Sequence, residues 1–247
     1  MTILTDKNEI LKIRESGAIL KKIFSFVEEK IKPGVSTLEL DREVENLTRD
    51  LGAKPAFKGY RGYPATICAS VNEVVVHGIP REDVLLAEGD IISLDIGVLK
   101  NGYFTDAART FGVGEVSREA SRLIAGTKLC LREGIKKAVS GGRVSDISNA
   151  IQLTAKKIGL KEVRMFVGHG LGRELHETPE VPNWGEKGKG AILREGLVLA
   201  IEPMINLGTR KVKIMPDGWT AVTLDGKLSA HFEDTIIVRS KNPEIIT

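Results

Sequence analysis

Glu88-Gly-Asp-Ile-Ile-Ser-Leu-Asp95 and Glu195-Gly-Leu-Val-Leu-Ala-Ile-Glu202 align without a gap at a constant offset, since 195 − 88 and 202 − 95 are both 107. Each opens on Glu-Gly, continues as an apolar run of strand length and ends on an acid. The elements ahead of them repeat as well. Ile10, Ile13, Gly17, Leu20, Phe24, Val27 and Ile31 alternate steps of three and four, one face of an amphipathic helix, which Lys32-Pro33-Gly34 stops. Ser36 with Glu39 has capping-box spacing and opens a second helix, carrying Leu40, Val44, Leu47 and Leu51 up to Gly52. After a Gly/Tyr-rich loop, residues 65–111 turn to β-branched runs, and Asn101-Gly102 predicts a hairpin between strands 91–99 and 103–111. The second half repeats the order. A helix runs through Ala120, Leu123, Thr127, Leu131, Gly134 and Ala138 to a Gly141-Gly142 stop; the next runs through Ile147, Ile151, Thr154 and Ile158 to Gly159, and strands follow. The fold class is therefore read as α+β: one domain over 1–247 with pseudo-twofold duplicated halves, about 7–112 and 117–240, and helices covering one side of a curved antiparallel sheet.

Composition narrows the function. With 42% hydrophobic and 28% charged residues, the 247-residue chain has the make-up of a globular protein, which excludes disordered and collagenous readings. No apolar run approaches the ~20 residues of a membrane span, and Asp6, Lys7 and Glu9 stand where a signal peptide would be apolar. A cytoplasmic protein without a membrane partner is expected. The net charge of +3 comes with no block of like charges, so no specific nucleic-acid partner is expected. Two cysteines, Cys68 and Cys130, make neither a disulfide framework nor a cysteine zinc site. Any metal must be held by carboxylates and histidines.

The duplication puts four acids in corresponding places of the two halves, two in each. Asp95 and Glu202 end matched strand runs, Asp106 lies eleven residues on across the hairpin, and Glu233 sits in a second apolar strand, Ala230-His-Phe-Glu-Asp-Thr-Ile-Ile-Val238. Four acids reaching one poorly solvated interface cannot all ionise unless a cation neutralises them. Of four histidines, His77 lies in Val-Val-Val-His-Gly-Ile-Pro, His169 stands between two glycines that let the backbone approach a ligand closely, and His176 follows seven residues later. Four carboxylates with one imidazole suit divalent Mn, Fe or Co, and bridging carboxylates suit two ions, the usual equipment of metal-assisted hydrolysis.

His77, Asp95, Asp106, Gly168-His169-Gly170, His176, Ile201-Glu202-Pro203-Met204 and Phe232-Glu233 together resemble the type I methionine aminopeptidases of the M24 metallopeptidases, from about residue 7 to the C-terminus. The resemblance implies the pita-bread fold and two divalent ions, drawn from Co, Mn, Fe, Zn or Ni. It implies that Asp106 and Glu233 bridge them, that Asp95 holds one, and that His169 and Glu202 hold the other. His77 and His176 would contact the substrate without ligating. A methionine pocket of Phe57, Tyr60, Tyr63, Cys68, Leu175 and Trp219 is implied too, its aromatic and sulfur-bearing walls suited to a thioether. The lack of a long insert and of an N-terminal extension points to the short bacterial form. Leu175, Phe57, Arg61 and Asp234 depart from the commonest family residues (Phe, Cys, His and His), and none is a ligand position.

The implied activity is removal of N-terminal methionine from nascent chains with a small second residue, by a monomer with weak association with the ribosome. A water acidified by the metals attacks the first carbonyl, Glu202 passes the proton, and His77 and His176 stabilise the oxyanion. A Xaa-Pro aminopeptidase shares the five ligands but carries a further N-terminal domain for which 247 residues leave no room. A non-catalytic binding module of the same fold is the other alternative, and the filled ligand positions argue against it.

Overall fold

The computed structural model describes residues 1–247. Four helices carry the first level of the repeat: α1 (Lys7–Glu28), α2 (Thr37–Asp50), α3 (Arg118–Ile135) and α4 (Val144–Lys157). Their starts follow from side-chain acceptors for unpaired N–H groups, each worth about 1 kcal/mol. Asp6 caps α1, Ser36 accepts from Glu39 N–H at 3.1 Å and Ser117 from Ala120 N–H at 3.1 Å. At α4 the Asp146 carboxylate accepts from Arg143 N–H at 2.8 Å. The first helix stops three residues short of Ile31, and the third ends at Ile135, leaving Ala138 buried in the turn that follows.

The first half supplies strands β1 (Lys54–Pro55), β2 (Ile67–Val71), β3 (Val74–Val76), β4 (Ile91–Lys100) and β5 (Tyr103–Gly112). The second supplies β6 (Lys161–Glu162), β7 (Gly168–Gly170), β8 (Glu177–Val181), β9 (Val198–Ile201), β10 (Met204–Asn206), β11 (Val212–Ile214), β12 (Ala221–Thr223), β13 (Ser229–His231), β14 (Glu233–Ile237) and β15 (Glu244–Ile245). Asn101 and Gly102, at φ of 53° and 83°, turn β4 into β5, the two left-handed residues a tight primed turn requires. The main antiparallel sheet has nine strands in the order β1-β4-β5-β14-β9-β7-β8, with β2 also on β4 and β15 on β14.

Alternation along the strands decides which face carries what. Ile92, Leu94, Ile96 and Val98 of β4 pack with Leu20, Ile23, Leu40 and Val44 of α1 and α2. Leu199 and Ile201 of β9 and Ile236 of β14 pack with Leu123, Leu131, Ile147 and Ile151 of α3 and α4. Each helix pair thus covers its own half of one sheet face. Residues of the opposite parity, Asp95, Asp106, Glu202 and Glu233 among them, are left for the other face.

The register locates the pseudo-twofold axis. Ser93 pairs with Ser70 on one side and Thr110 on the other, and Ala200, 107 residues later, pairs with His169 and Thr235. Ser70 is therefore the counterpart of His169, and Thr110 of Thr235. Stepping back along β5 and β14 matches Arg109 with Asp234, Ala108 with Glu233 and Asp106 with His231. Ala108 and Glu233 pair directly, so the axis passes between them. Side-chain bonding repeats the match. The Thr235 hydroxyl accepts from Asp106 N–H at 2.9 Å and donates to its carbonyl at 2.8 Å; the Thr110 hydroxyl does the same for His231, again at 2.9 and 2.8 Å. This corrects one expectation. Asp95 and Glu202 are mates as read from the sequence, but the mate of Asp106 is His231, and Glu233 stands on the axis opposite an alanine.

Candidate active site

Asp95 and Asp106 reach one side of the β4–β5 hairpin because Asp106 pairs with Gly97, two residues beyond Asp95, a diagonal neighbour on the same face. Glu233 joins from β14 beside Ala108. Glu202 follows Ile201, the last residue of β9, which pairs with Asp234. All four acids and His77, His169 and His176 line one cavity of about 270 Å³. Ligand-type atoms of Asp106, His169 and Glu233 lie within 4.8 Å of one another, and so do those of Glu202, His231 and Glu233.

Electrostatics say what this cluster needs. Two carboxylates about 4 Å apart at an effective dielectric of 20 repel by about 4 kcal/mol, so four ionised together would cost more than the roughly 5–15 kcal/mol that holds a domain folded. Burial first, and then the neighbouring acids, push Asp95 and Glu233 well above the usual carboxylate range; burial and Asp106 do the same to Glu202. Burial raises Asp106 to about 7. The buried Asp95 Oδ1, Asp106 Oδ1 and Glu233 Oε1 have no hydrogen-bond partner. Unpartnered, mutually repelling carboxylate oxygens are a donor set for divalent cations, so the residues fit the metals that the resemblance implied.

The histidines divide by their partners. His169 Nδ1 lies 2.9 Å from the Gly170 carbonyl, which sets the proton on Nδ1 and leaves the Nε2 lone pair 3.6 Å from Glu202 Oε1. Its flanking glycines have a reason other than ligand approach. A Cβ at Gly168 would come within 2.4 Å of the Ala200 carbonyl oxygen, and one at Gly170 within 2.3 Å of that of Thr178, so neighbouring backbone presses β7 from both sides. His176 is exposed and stacks on Tyr60 with ring centroids 5.1 Å apart, its Nδ1 3.0 Å from the Tyr60 hydroxyl. His77 stands in the left-handed region at φ 59°, its ring against the edges of Phe166 and Trp219. Desolvation lowers His77 and pushes His169 down to about 4 and His176 to about 3. All three are neutral imidazoles at physiological pH.

Phe57, Tyr60, Tyr63, Cys68, Leu175 and Trp219 line the same cavity. Phe57 lies so close over Gly97 that a Cβ there would come within 2.6 Å of its ring. The Tyr63 hydroxyl donates to the Ile67 and Gly78 carbonyls, so its ring is a fixed wall. Burial raises the Cys68 thiol well above its ordinary value, which leaves it an uncharged wall group. Cys130 is buried in the core of α3.

Sequence reading passed over Val76, Met165, Phe166 and Val167, which also line the cavity, and gave Arg61, another lining residue, no role beyond its departure from the family. It also passed over His231 and Arg109. His231 was detectable, because a residue two before Glu233 on an extended chain points the same way. Arg109 donates to the carbonyls of Ala108 and Glu233 and, at 2.6 Å, to the Asp234 carboxylate. Its parity places it on the helix face of the sheet, over the Phe24 ring of α1.

Known proteins match this arrangement. Residues 11–240 match the metallopeptidase family M24. A methionine aminopeptidase of Clostridium perfringens is 51% identical over 100% of this chain and 99% of its own, and methionine aminopeptidase 1 of Bacillus subtilis is 46% identical over 100% and 99%. The crystal structure of a methionine aminopeptidase from Thermotoga maritima superposes with a TM-score of 0.97 at 42% identity, covering 100% of this chain and 99% of that one. A prolidase from Pyrococcus furiosus shares the fold at a TM-score of 0.79 and 23% identity, and this chain covers 65% of it. Full-length identity and near-complete superposition, over a sheet that gathers four acids and an imidazole, place the chain in metallopeptidase family M24, among its methionine aminopeptidases.

Proposed function

We propose that the protein removes the N-terminal methionine from nascent proteins and peptides whose second residue is small. The observation that carries this is the small cavity that the acid cluster and a set of apolar walls line together. At about 270 Å³ it falls below the roughly 300–1,000 Å³ of sites that enclose whole small molecules. It has room for one side chain and the carbonyl attached to it. Apolar and sulfur-bearing walls at Phe57, Tyr63, Cys68, Leu175 and Trp219 favour methionine there.

Asp95, Asp106, His169, Glu202 and Glu233 are the ligands in this reading, and two divalent ions are the complement that the four carboxylates call for. When bound, such ions acidify water and polarise the carbonyl under attack. The carboxylates would also receive the free amino group of the chain end, which restricts cleavage to the first residue. Glu202, at the cavity wall, takes the proton of the attacking water on a carboxylate oxygen and returns it to the leaving amine. With the Tyr60 hydroxyl, 3.0 Å away, as donor to His176 Nδ1, the imidazole proton would stand on Nε2 for the developing oxyanion. His77, held by Phe166 and Trp219, positions the scissile amide. Residues 1–247 act as one catalytic unit with halves about 7–112 and 117–240. The enzyme works as a cytoplasmic monomer on nascent chains, with weak association with the ribosome and no nucleic-acid specificity.

The test is hydrolysis of Met-Ala, Met-Leu and N-acetyl-Met-Ala peptides by protein reconstituted with one metal at a time. Met-Ala is cleaved, Met-Leu at least about 10-fold more slowly, since even one extra methylene meeting a wall is worth that much and leucine adds three carbons to alanine, and the acetylated peptide not at all. Equal rates on Met-Ala and Met-Leu, or preference for a Xaa-Pro peptide, would overturn the reading.

A further inference from the structure

His231 has no part in the scheme above, although it is one of the most deeply placed polar side chains of the molecule, 1% exposed. Three observations bear on it. First, it is the twofold mate of Asp106, held at N–H and C=O by Thr110 as Asp106 is by Thr235. Whatever direction the sheet gives the Asp106 side chain, it gives the His231 side chain on the other side of the axis. Second, its Nε2 is buried without a hydrogen-bond partner. Third, that atom lies 3.5 Å from Glu202 Oε2, while His169 Nε2 lies 3.6 Å from Glu202 Oε1. Each oxygen of one carboxylate thus faces an imidazole.

These separations are too long for charge-assisted hydrogen bonds, about 2.7–2.9 Å. They fall within the roughly 3.0–3.6 Å that separate neighbouring ligands of one five-coordinate ion with bonds of about 2.1 Å. Ligand-type atoms of Glu202, His231 and Glu233 also lie within 4.8 Å of one another. We propose that His231 is a further metal ligand, placing a second imidazole on the Glu202 side of the centre. With two imidazoles that side prefers borderline ions such as Zn, Co or Ni over Mn, because nitrogen donors favour them. The Asp95 side, with carboxylates alone, stays the harder one. The inference rests on the metal centre proposed above.

The test uses the full-length protein stripped of metal and titrated calorimetrically with Co, Zn and Mn salts, with proton NMR of the Co form to count hyperfine-shifted imidazole N–H signals. Two such signals are expected in the wild type, one in His231→Gln and one in His169→Gln. His231→Gln should bind Zn and Co at least about 10–100-fold more weakly, the range for losing even a ligand's partner, and Mn with a smaller change. Wild-type affinities for all three ions in His231→Gln, or a single shifted signal in the wild type, would overturn the assignment. The wild-type signal count decides the matter even if the variant fails to fold. A wild type that binds no divalent ion would overturn the metal centre as well; one that binds through a single imidazole overturns His231 alone.

Discussion

The two halves of the sheet share a backbone plan and differ in what they hang on it. On the helix side they are alike: α1 and α2 seal β4 with aliphatic side chains, and α3 and α4 seal β9 and β14 in the same way. On the site side they diverge. Where the second half has His169 the first has Ser70, and where the first has Asp106 the second has His231. The first half fills its remaining positions with short hydroxyls bonded to each other, Ser93 to Thr110 at 2.8 Å. It devotes its loops to the cavity walls Phe57, Tyr60 and Tyr63. A face that must pack tolerates little change, whereas a face lining a cleft can exchange ligands without disturbing the register. The repeated plan thus supplies the frame, and the difference between the halves supplies the chemistry.

The hardest break in the comparison is at the axis. Glu233 stands opposite Ala108 and has ligand-type atoms in both candidate metal groups, so Glu233→Ala makes the axis symmetric and removes the one side chain shared by both. Hydrolysis of a Met-Ala peptide should fall far more than 100-fold, the upper figure for losing a ligand's partner, and elemental analysis should show metal loss. Asp106→Ala should behave alike. Near wild-type turnover with full occupancy in either variant would remove the dinuclear reading.

Next come the histidines that lie on the cavity but outside the ligand set. His77→Ala and His176→Ala should lose about 10² to 10³ in kcat, the cost of a donor aimed at developing charge, while metal titration curves stay at wild type. If both variants instead kept kcat and lost Tm, the two rings would be structural.

How far this was legible in the sequence follows from which interactions are local. The Ser36 cap, the Asn101-Gly102 turn and the amphipathic faces depend on residues within four of each other, and each appeared where the pattern put it except at the ends of α1 and α3, which stop before Ile31 and Ala138. The convergence of the four acids and His169 on one cavity was legible because Asp95 and Glu202 end aligned runs and because the motifs around His169 and Glu233 are distinctive. The true mate of Asp106 was not. Finding it requires the pairing of β5 with β14, residues 125 apart in sequence, and no local pattern encodes that register. Arg109 escaped for the same reason, since its partner Asp234 is distant in sequence and read as a mere departure from the family. The glycines flanking His169 stand out in the sequence, but the strands that press on them come from elsewhere in the chain, so no local pattern shows that contact.

Arg109 and Asp234 allow the symmetry itself to be tested. They are twofold mates that pair with each other at 2.6 Å on the helix face, with side chains 26% and 12% exposed. Asp234→Asn would leave a half-buried guanidinium uncompensated, costing on the order of 2 kcal/mol, below the 3–5 kcal/mol of a fully buried pair. Because Ala108 and Glu233, whose carbonyls Arg109 caps, are mates too, the swap Arg109→Asp with Asp234→Arg presents the same contacts after rotation. Denaturant unfolding should find the double variant more stable than either Arg109→Asp or Asp234→Arg alone. A double variant as unstable as the two single losses added together would mean the axis is broken at this point.

The smallest effect concerns where the halves meet away from the axis. Glu244 of β15 accepts from Arg14 of α1 at 2.6 Å and from Arg239, after β14, at 3.1 and 2.6 Å, tying the end of the second half to the first helix. The Arg14 hydrogen bond foremost, with that of Arg239 added and burial opposing, holds its carboxyl below the ordinary 4.5. A carboxyl whose folded value is depressed binds fewer protons folded than unfolded. Its contribution is complete above pH about 4.5 and disappears as pH falls through the lower folded value. The pair is partly solvated, so the contribution is about 1 kcal/mol after screening, or roughly 2–4 °C in Tm for a chain of this size. Glu244→Gln should therefore melt that much below wild type from pH 7 down to about pH 5, and the gap should shrink as pH falls below the ordinary 4.5. A gap that stays constant along the whole acid limb would show that Glu244 holds the halves together by packing and not by charge.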